Sequence, residues 1–197
     1  MNKLSLILIT IFFLSFTSDN NHFATVEKVL NTPIFLFSKP VSEYSIVGKA
    51  MSFTDMLKMA ADQKSSVREK AKKIVQTAQK RVKDKKLSAF DALIIELEND
   101  KVFAIKFKSN ISTKAKINNY GDLPVYFFCK PDEEYDVVAK LKADYSLRAE
   151  RSGMLFDKIN SMVKRTIKKK ENNEVDNFDA IIISPDDLSE VLINFKK

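Results

Sequence analysis

Pro33-Ile-Phe-Leu-Phe-Ser-Lys-Pro-Val-Ser-Glu-Tyr-Ser-Ile-Val47 and Pro124-Val-Tyr-Phe-Phe-Cys-Lys-Pro-Asp-Glu-Glu-Tyr-Asp-Val-Val138 align without a gap at a spacing of 91 residues, and both carry the string Lys-Pro-x-x-Glu-Tyr. Further on, Phe90-Asp-Ala-Leu-Ile-Ile95 lies over Phe178-Asp-Ala-Ile-Ile-Ile183, and Ile105, Phe107 and Lys108 lie over Ile193, Phe195 and Lys196, now at a spacing of 88. Self-similarity at a fixed period marks a structural unit used twice. The matched residues are core and turn types rather than reactive ones, so the repeat speaks to fold before it speaks to activity.

Each copy predicts the same order of elements. A continuous apolar run (Ile34 to Phe37, Val125 to Phe128) reads as a strand, Lys-Pro as a turn, and Tyr44 to Val47 or Tyr135 to Ala139 as a second strand. Next, Val67, Ala71, Ile74, Val75, Ala78 and Val82 fall on one helical arc, as do Leu155, Ile159, Met162, Val163 and Thr166. Ala92 to Ile95 and Ala180 to Ile183 are apolar throughout, as expected of a strand covered on both faces. A last strand alternates, with Phe103, Ile105 and Phe107 on one side and Val191, Ile193 and Phe195 repeating the pattern; Asn99-Asp100 and Pro185-Asp186-Asp187 supply the turns before it. The expected fold is α+β: a tandem duplication of a β-β-α-β-β unit, each half packing one basic amphipathic helix on a small, mostly antiparallel sheet.

The expected boundaries are a signal peptide over 1–18, a lead-in over 19–31, repeat 1 over 32–108, a polar linker over 109–122 and repeat 2 over 123–197. Lys3 followed by the apolar stretch Leu4 to Phe16 has the form of a secretory leader and is short for a membrane span. No Cys follows that stretch, so no lipid anchor is expected. Thr54 to Ala61 suggests an extra helical turn. Halves of this size are marginal alone, so they are expected to pack on each other. The single cysteine, Cys129, ends an apolar run and reads as a core residue.

Chemistry is sparse. With one histidine, His22, one cysteine and three glycines, the chain shows no nucleophilic triad, metal cluster, phosphate loop or dinucleotide fingerprint. No cofactor and no metal are expected. Glu43 with Asp91 and Glu134 with Asp179 form recurring carboxylate pairs that an enzyme could divide into acid and base, or that local backbone N–H groups could occupy. The strings Asp132-Glu133-Glu134 and Asp186-Asp187 lack the oxygen spacing of a calcium loop. Lys101 to Phe107 superficially matches an RNA-binding strand but lacks its glycine and central aromatic, so no specific nucleic acid is expected.

The formal charge of +7 rests on lysine, with arginine only at Arg68, Arg81, Arg148, Arg151 and Arg165. Two candidate surfaces follow. The recurring turn residues Lys39, Pro40, Glu43 and Tyr44 with Lys130, Pro131, Glu134 and Tyr135 exceed what a turn requires, and are candidate contacts unless the tyrosines pack under the helices. The outer helix faces, with Lys70, Lys73, Lys80, Lys158, Lys164 and Arg165, suit either an anionic partner or plain solvation.

The order of an apolar strand, Tyr44-Ser-Ile-Val-Gly48 or Tyr135-Asp-Val-Val-Ala139, a basic amphipathic helix and Phe-Asp-Ala before an apolar strand resembles a group of small bacterial envelope domains. That group includes the outer-membrane stress sensor of the Rcs phosphorelay and the heavy-metal-binding domains related to it. Ala139 stands where the group has Gly, and Phe90 and Phe178 stand where it has Gly-Ala. The sensor's cysteines and lipid anchor are absent, so neither its signalling nor any metal ligand carries over. The resulting expectation is an exported, non-enzymatic binding or protein-interaction module of the bacterial cell envelope, periplasmic or secreted and not a lipoprotein. Its partner would be an envelope protein or an anionic envelope component. The alternatives are a carboxylate enzyme or a polyanion or membrane-surface binder working through the helix faces.

Overall fold

The computed structural model describes residues 22–51, 65–96, 101–142 and 155–196. The leader over 1–18, the helical turn at Thr54 to Ala61 and the turn at Asn99-Asp100 lie outside the described residues. The first half contains β1 (Phe23–Val26), β2 (Lys28–Val29), β3 (Thr32–Leu36), β4 (Ser38–Pro40), β5 (Tyr44–Lys49), α1 (Val67–Lys83), β6 (Ala92–Glu96) and β7 (Lys101–Phe107). The second contains β8 (Lys114–Ile117), β9 (Asn119–Tyr120), β10 (Leu123–Phe127), β11 (Cys129–Pro131), β12 (Tyr135–Leu141), α2 (Leu155–Glu171), β13 (Ala180–Ile183) and β14 (Glu190–Phe195). The architecture is α+β, with two helices and three mostly antiparallel sheets among the described residues.

Two of the sheets have five strands each, in the orders β2-β3-β6-β7-β5 and β9-β10-β13-β14-β12. Each contains one parallel pair, with Ile34 opposite Leu93 and Val125 opposite Ile181. A helix lies between the paired strands in the chain and supplies the crossover that a parallel pair needs. The outer strands β5 and β12 each carry a bulge, at Val47 and at Val138. A bulge twists an exposed edge away from pairing with another chain.

Helix α1 starts at a capping box. Ser66 Oγ accepts the Glu69 N–H at 3.2 Å, and the Ser66 N–H donates to Glu69 Oε2 at 2.9 Å. Two of the helix's open N–H groups are thereby satisfied. Glu69 in the first turn and Lys80, Arg81 and Lys83 in the last also suit the helix dipole. The apolar arcs, Ala71, Ile74, Val75 and Ala78 on α1 and Ile159, Met162 and Val163 on α2, join Ile34, Leu36, Leu93, Val125, Phe127 and Ile181 in one core cluster. This cluster crosses the boundary between the halves.

Because side chains alternate along a strand, the other faces of the same sheets point away from the helices. Phe35, Ile94, Ile105, Phe107, Tyr126 and Ile193 form a second cluster there, closed by Ala24, Val26, Ala115 and Ile117 of the third sheet. That sheet has the order β11-β1-β8-β4, so strands of the two halves alternate across it. Ala24 pairs with Pro131 and with Ala115, and Ala115 pairs with Pro40. Hydrogen bonds run in matching pairs: Val26 N–H to the Thr113 carbonyl and Ile117 N–H to that of His22, Glu27 N–H to the Phe128 carbonyl and Asn118 N–H to that of Phe37.

Three expectations change here. The lead-in and the linker are not connectors: they hold β1 with β2 and β8 with β9. Ala24, Val26, Ala115 and Ile117 are buried beside exposed neighbours, a four-residue alternation that the lysines of Lys114-Ala-Lys-Ile117 disguise as polar linker. Each half therefore runs β-β-β-β-β-α-β-β, longer than the expected β-β-α-β-β. Finally, Lys39-Pro40 and Lys130-Pro131 lie in the edge strands β4 and β11 rather than in turns. The Val41 and Asp132 N–H groups bond across to the Lys114 and Phe23 carbonyls, which leaves each proline at the alternate position where a ladder needs no donor. The change of direction falls one step earlier, at Phe37 and Phe128, whose φ values of 60° and 61° are left-handed. Those two residues carry the chain from a five-stranded sheet into the shared one.

Arg68 ties the halves together from another side. Its Nη1 lies 2.7 Å from Glu27 Oε2 and its Nε 2.8 Å from Asp186 Oδ1, while its guanidinium sits 5.4 Å from the centre of the Phe128 ring.

Candidate functional site

The third sheet has one buried face, and its other face is open. Ala24, Val26, Ala115, Ile117, Ser38 and Cys129 point into the second cluster or are buried beside it, so the residues between them point outward. Strand register sorts the outward residues into two rows. Lys130, Thr25 and Lys114 lie side by side, with Val41 bonded at the end of the row. Lys39, Lys116 and Phe23 form the other row, ending at Asp132. Three strand spacings make the array about 14 Å wide, and rows two residues apart are separated by about 7 Å.

The electrostatics of this face are uneven. Lys114 Nζ is 2.7 Å from Asp132 Oδ2, and Thr25 Oγ1 donates to Asp132 Oδ1 at 2.7 Å. Partial burial opposes the Asp132 charge, but these hydrogen bonds outweigh it and hold the carboxyl below its usual range. Beside it His22 Nδ1 lies 3.4 Å from Glu133 Oε1. Lys39, Lys116 and Lys130 have no carboxylate partner among the described residues. Lys39 and Lys116 stand directly opposite each other, a like-charge pairing that a sheet tolerates at some cost. Around them Phe23 is 43 % exposed and Val41 52 % exposed.

The expected turn constellation is thus divided. Lys39 and Lys130 belong to the open face. Pro40 and Pro131 are half-buried beneath it. Glu43 and Glu134 leave it, reaching Lys108 at 2.9 Å and Lys196 at 3.5 Å. Tyr44 and Tyr135 pack against the second cluster, on the sheet faces opposite the helices, so they neither project as anchors nor lie under α1 and α2.

The helix-face residues are spread along α1 and α2: Lys73, Lys80 and Lys164 are exposed, and Lys70, Lys158 and Arg165 half-buried. The carboxylates Asp91 and Asp179 are occupied locally, accepting the Phe107 and Phe195 N–H groups at 2.9 and 3.0 Å. Of the acidic strings, Asp186 holds Arg68, and Asp187 accepts both the N–H and the hydroxyl of Ser189. Among the described residues no group of three His, Cys, Asp or Glu side chains is placed to hold a metal ion, and no helix is long and apolar enough to cross a membrane.

Several polar residues sit where no sequence pattern marks them. His22, expected in a loose lead-in, stacks on Phe195 with ring centres 5.2 Å apart, because β1 carries it into the sheet. Glu190 is buried and accepts Thr166 Oγ1 at 2.9 and 3.1 Å; burial raises its carboxyl above the usual range against the pull of that hydroxyl, Lys169 and Arg165. The Tyr126 hydroxyl and Ser38 Oγ are buried with no hydrogen-bond partner among the described residues. Tyr126 occupies the place that Phe35 has in the first half, and that register is the signal that marks its hydroxyl as surplus.

Comparison of this chain with protein-family models, with curated proteins and with solved structures found no match.

Proposed function

We propose that this chain is an exported, non-enzymatic binding module of the bacterial cell envelope, periplasmic or secreted, built as a tandem duplication of one α+β unit. Its binding surface is the open face of the four-stranded sheet, and its partner carries negative charge. The observation that carries the reading is that face itself: Lys39, Lys116 and Lys130, without carboxylate partners among the described residues, lie on one rigid surface with Phe23 and Val41 exposed among them. Regular strands hold such a constellation more firmly than a loop would.

The duplication is supported by the two spacings in the sequence and by registers that follow them. Ile34 opposite Leu93 becomes Val125 opposite Ile181 when 91 and 88 are added. Export is supported by the leader-like start, and an envelope setting by the resemblance of both halves to the Rcs-sensor group. A binding rather than catalytic role is supported by Asp91 and Asp179, whose carboxylates are committed to strand N–H groups. The test is sedimentation with washed bacterial envelope. The native chain should co-sediment, and the triple variant Lys39→Glu/Lys116→Glu/Lys130→Glu should stay in solution. Equal sedimentation of the two would remove the sheet face from the account.

A further inference from the structure

We infer that the negatively charged partner is an anionic phospholipid surface, and that the protein lies on it through the open face of the four-stranded sheet. The inference rests on the binding reading above and adds the class of partner. Three features favour a bilayer surface over an acidic protein. The first is the choice of cation. The four basic residues on the face are all lysine, a compact point charge suited to scattered phosphates, whereas protein interfaces are depleted in lysine and enriched in arginine, whose planar fork matches a carboxylate. Arg68 shows the contrast within this molecule: the arginine is used where two carboxylates of the chain must be held at once.

The second feature is where the apolar groups sit. Phe23 lies in the same row as Lys116 and Lys39, and Val41 adjoins Lys114. A peripheral membrane surface combines lysines at headgroup level with aromatic and aliphatic side chains that enter the acyl boundary. The third is the disposition of charge. Asp132 is paired with Lys114 and accepts a hydrogen bond from Thr25, and Glu133 faces His22, so the carboxylates at that corner are engaged while three lysines are available. These three span both edges of the sheet, with Lys130 on β11 and Lys39 on β4. An array of this kind meets a surface of mobile phosphates without demanding a matched register.

The experiment is co-sedimentation with lipid vesicles, using the chain as isolated so that every variant carries the same N-terminus. Native protein should bind vesicles of phosphatidylglycerol with phosphatidylethanolamine, release them in high salt, and ignore phosphatidylcholine vesicles. Each lysine near an anionic surface is worth about fivefold in partitioning, so the triple variant Lys39→Glu/Lys116→Glu/Lys130→Glu should bind about a hundredfold or more weakly. Lys73→Glu/Lys80→Glu/Lys164→Glu, on the helix faces, should stay within about threefold of native. A Lys→Gln set at the sheet positions, with a native thermal transition, replaces the Glu set should that set fail to fold. No binding to anionic vesicles, equal binding to neutral ones, or loss in the helix variant instead of the sheet variant would each overturn the inference. Envelope binding that needs the three lysines, without vesicle binding, would also overturn it while leaving the binding-module reading in place; capture by soluble polyglutamate would then point to an acidic protein.

Discussion

Ala24 lies opposite Ala115 in the β1–β8 pair, and both side chains are completely buried. On one side of this pair Phe23 faces Lys116, and on the other Thr25 faces Lys114, so the register is the same read from either strand. The third sheet is therefore centred on two alanines, one from each half. Ala92 and Ala180, the corresponding positions of the five-stranded sheets, are buried in the same cluster. Four small side chains let three sheets close on one another.

Enlarging either central alanine should separate those layers. Ala24→Leu and Ala115→Leu should each lower stability by about 1 to 3 kcal/mol, the usual cost of overpacking a filled core, and by similar amounts because the sites are related by register. Urea unfolding measures both. Tolerance at one site with a large loss at the other would contradict the symmetric placement.

A second pair is matched by size. A Cβ on Gly48 would lie 2.7 Å from Leu87 Cδ1, and Leu87 is buried. The corresponding residues in the second half are Ala139 and Val175, with one carbon moved from the larger residue toward the smaller. Gly48→Ala should cost about 1 to 2 kcal/mol, and adding Leu87→Val should recover part of it. Additive losses in a double-mutant cycle would show that the two sites do not meet.

Alkaline stability should report on the second cluster. Burial pushes the Cys129 thiol from its ordinary 9.0 up to about 12, and burial also raises the Tyr126 hydroxyl above its ordinary range. The unfolded chain releases these protons at lower pH than the folded chain, so stability falls as pH rises from 9 toward 12. Cys129→Ser, which copies Ser38, should flatten the stability profile over that interval. Tyr126→Phe, which copies Phe35, should be neutral or stabilising by about 1 kcal/mol at neutral pH, since the hydroxyl it removes has no partner among the described residues. Guanidinium unfolding across pH gives both answers; an unchanged alkaline slope with a destabilised Phe variant would mean the hydroxyl is bonded after all.

Processing of the N-terminus is constrained by β1. The His22 carbonyl accepts the Ile117 N–H and the Phe23 carbonyl accepts that of Asp132, so a chain cut beyond His22 would lose the first of the bonds that hold β1 between β11 and β8. Mass spectrometry of the native protein should find its first residue between Thr17 and His22. A terminus at Ala24 or later would contradict the role given to β1, and retention of Met1 would contradict export.

Much of the framework is legible in the chain. The helix arcs, the apolar strand at Ala92 and the alternation of Phe103, Ile105 and Phe107 follow from period and burial, and each pointed to the correct element. What sequence does not carry is which half a strand pairs with. Phe23 to Val26 and Lys114 to Ile117 are four residues each, too short for an alternation to stand out, and their partners lie in the other half. Lys39-Pro40 has the composition of a turn, yet an edge strand accepts proline equally well. The left-handed corner falls instead on Phe37 and Phe128, residue types that no turn rule would choose. Two of the four lysines of the candidate surface are visible in the sequence as Lys39 and Lys130; Lys114, Lys116 and Phe23 join it only once the strands are placed.

The location of binding can be read without altering the protein. Amide-resolved NMR of the native chain, titrated with phosphatidylglycerol-containing nanodiscs, should perturb Phe23 to Thr25, Lys39 with Val41, Lys114 to Lys116 and Lys130 with Asp132 together, at one shared midpoint. Perturbations centred on α1 and α2, with those four segments unchanged, would contradict the claim that the two halves build one docking face between them.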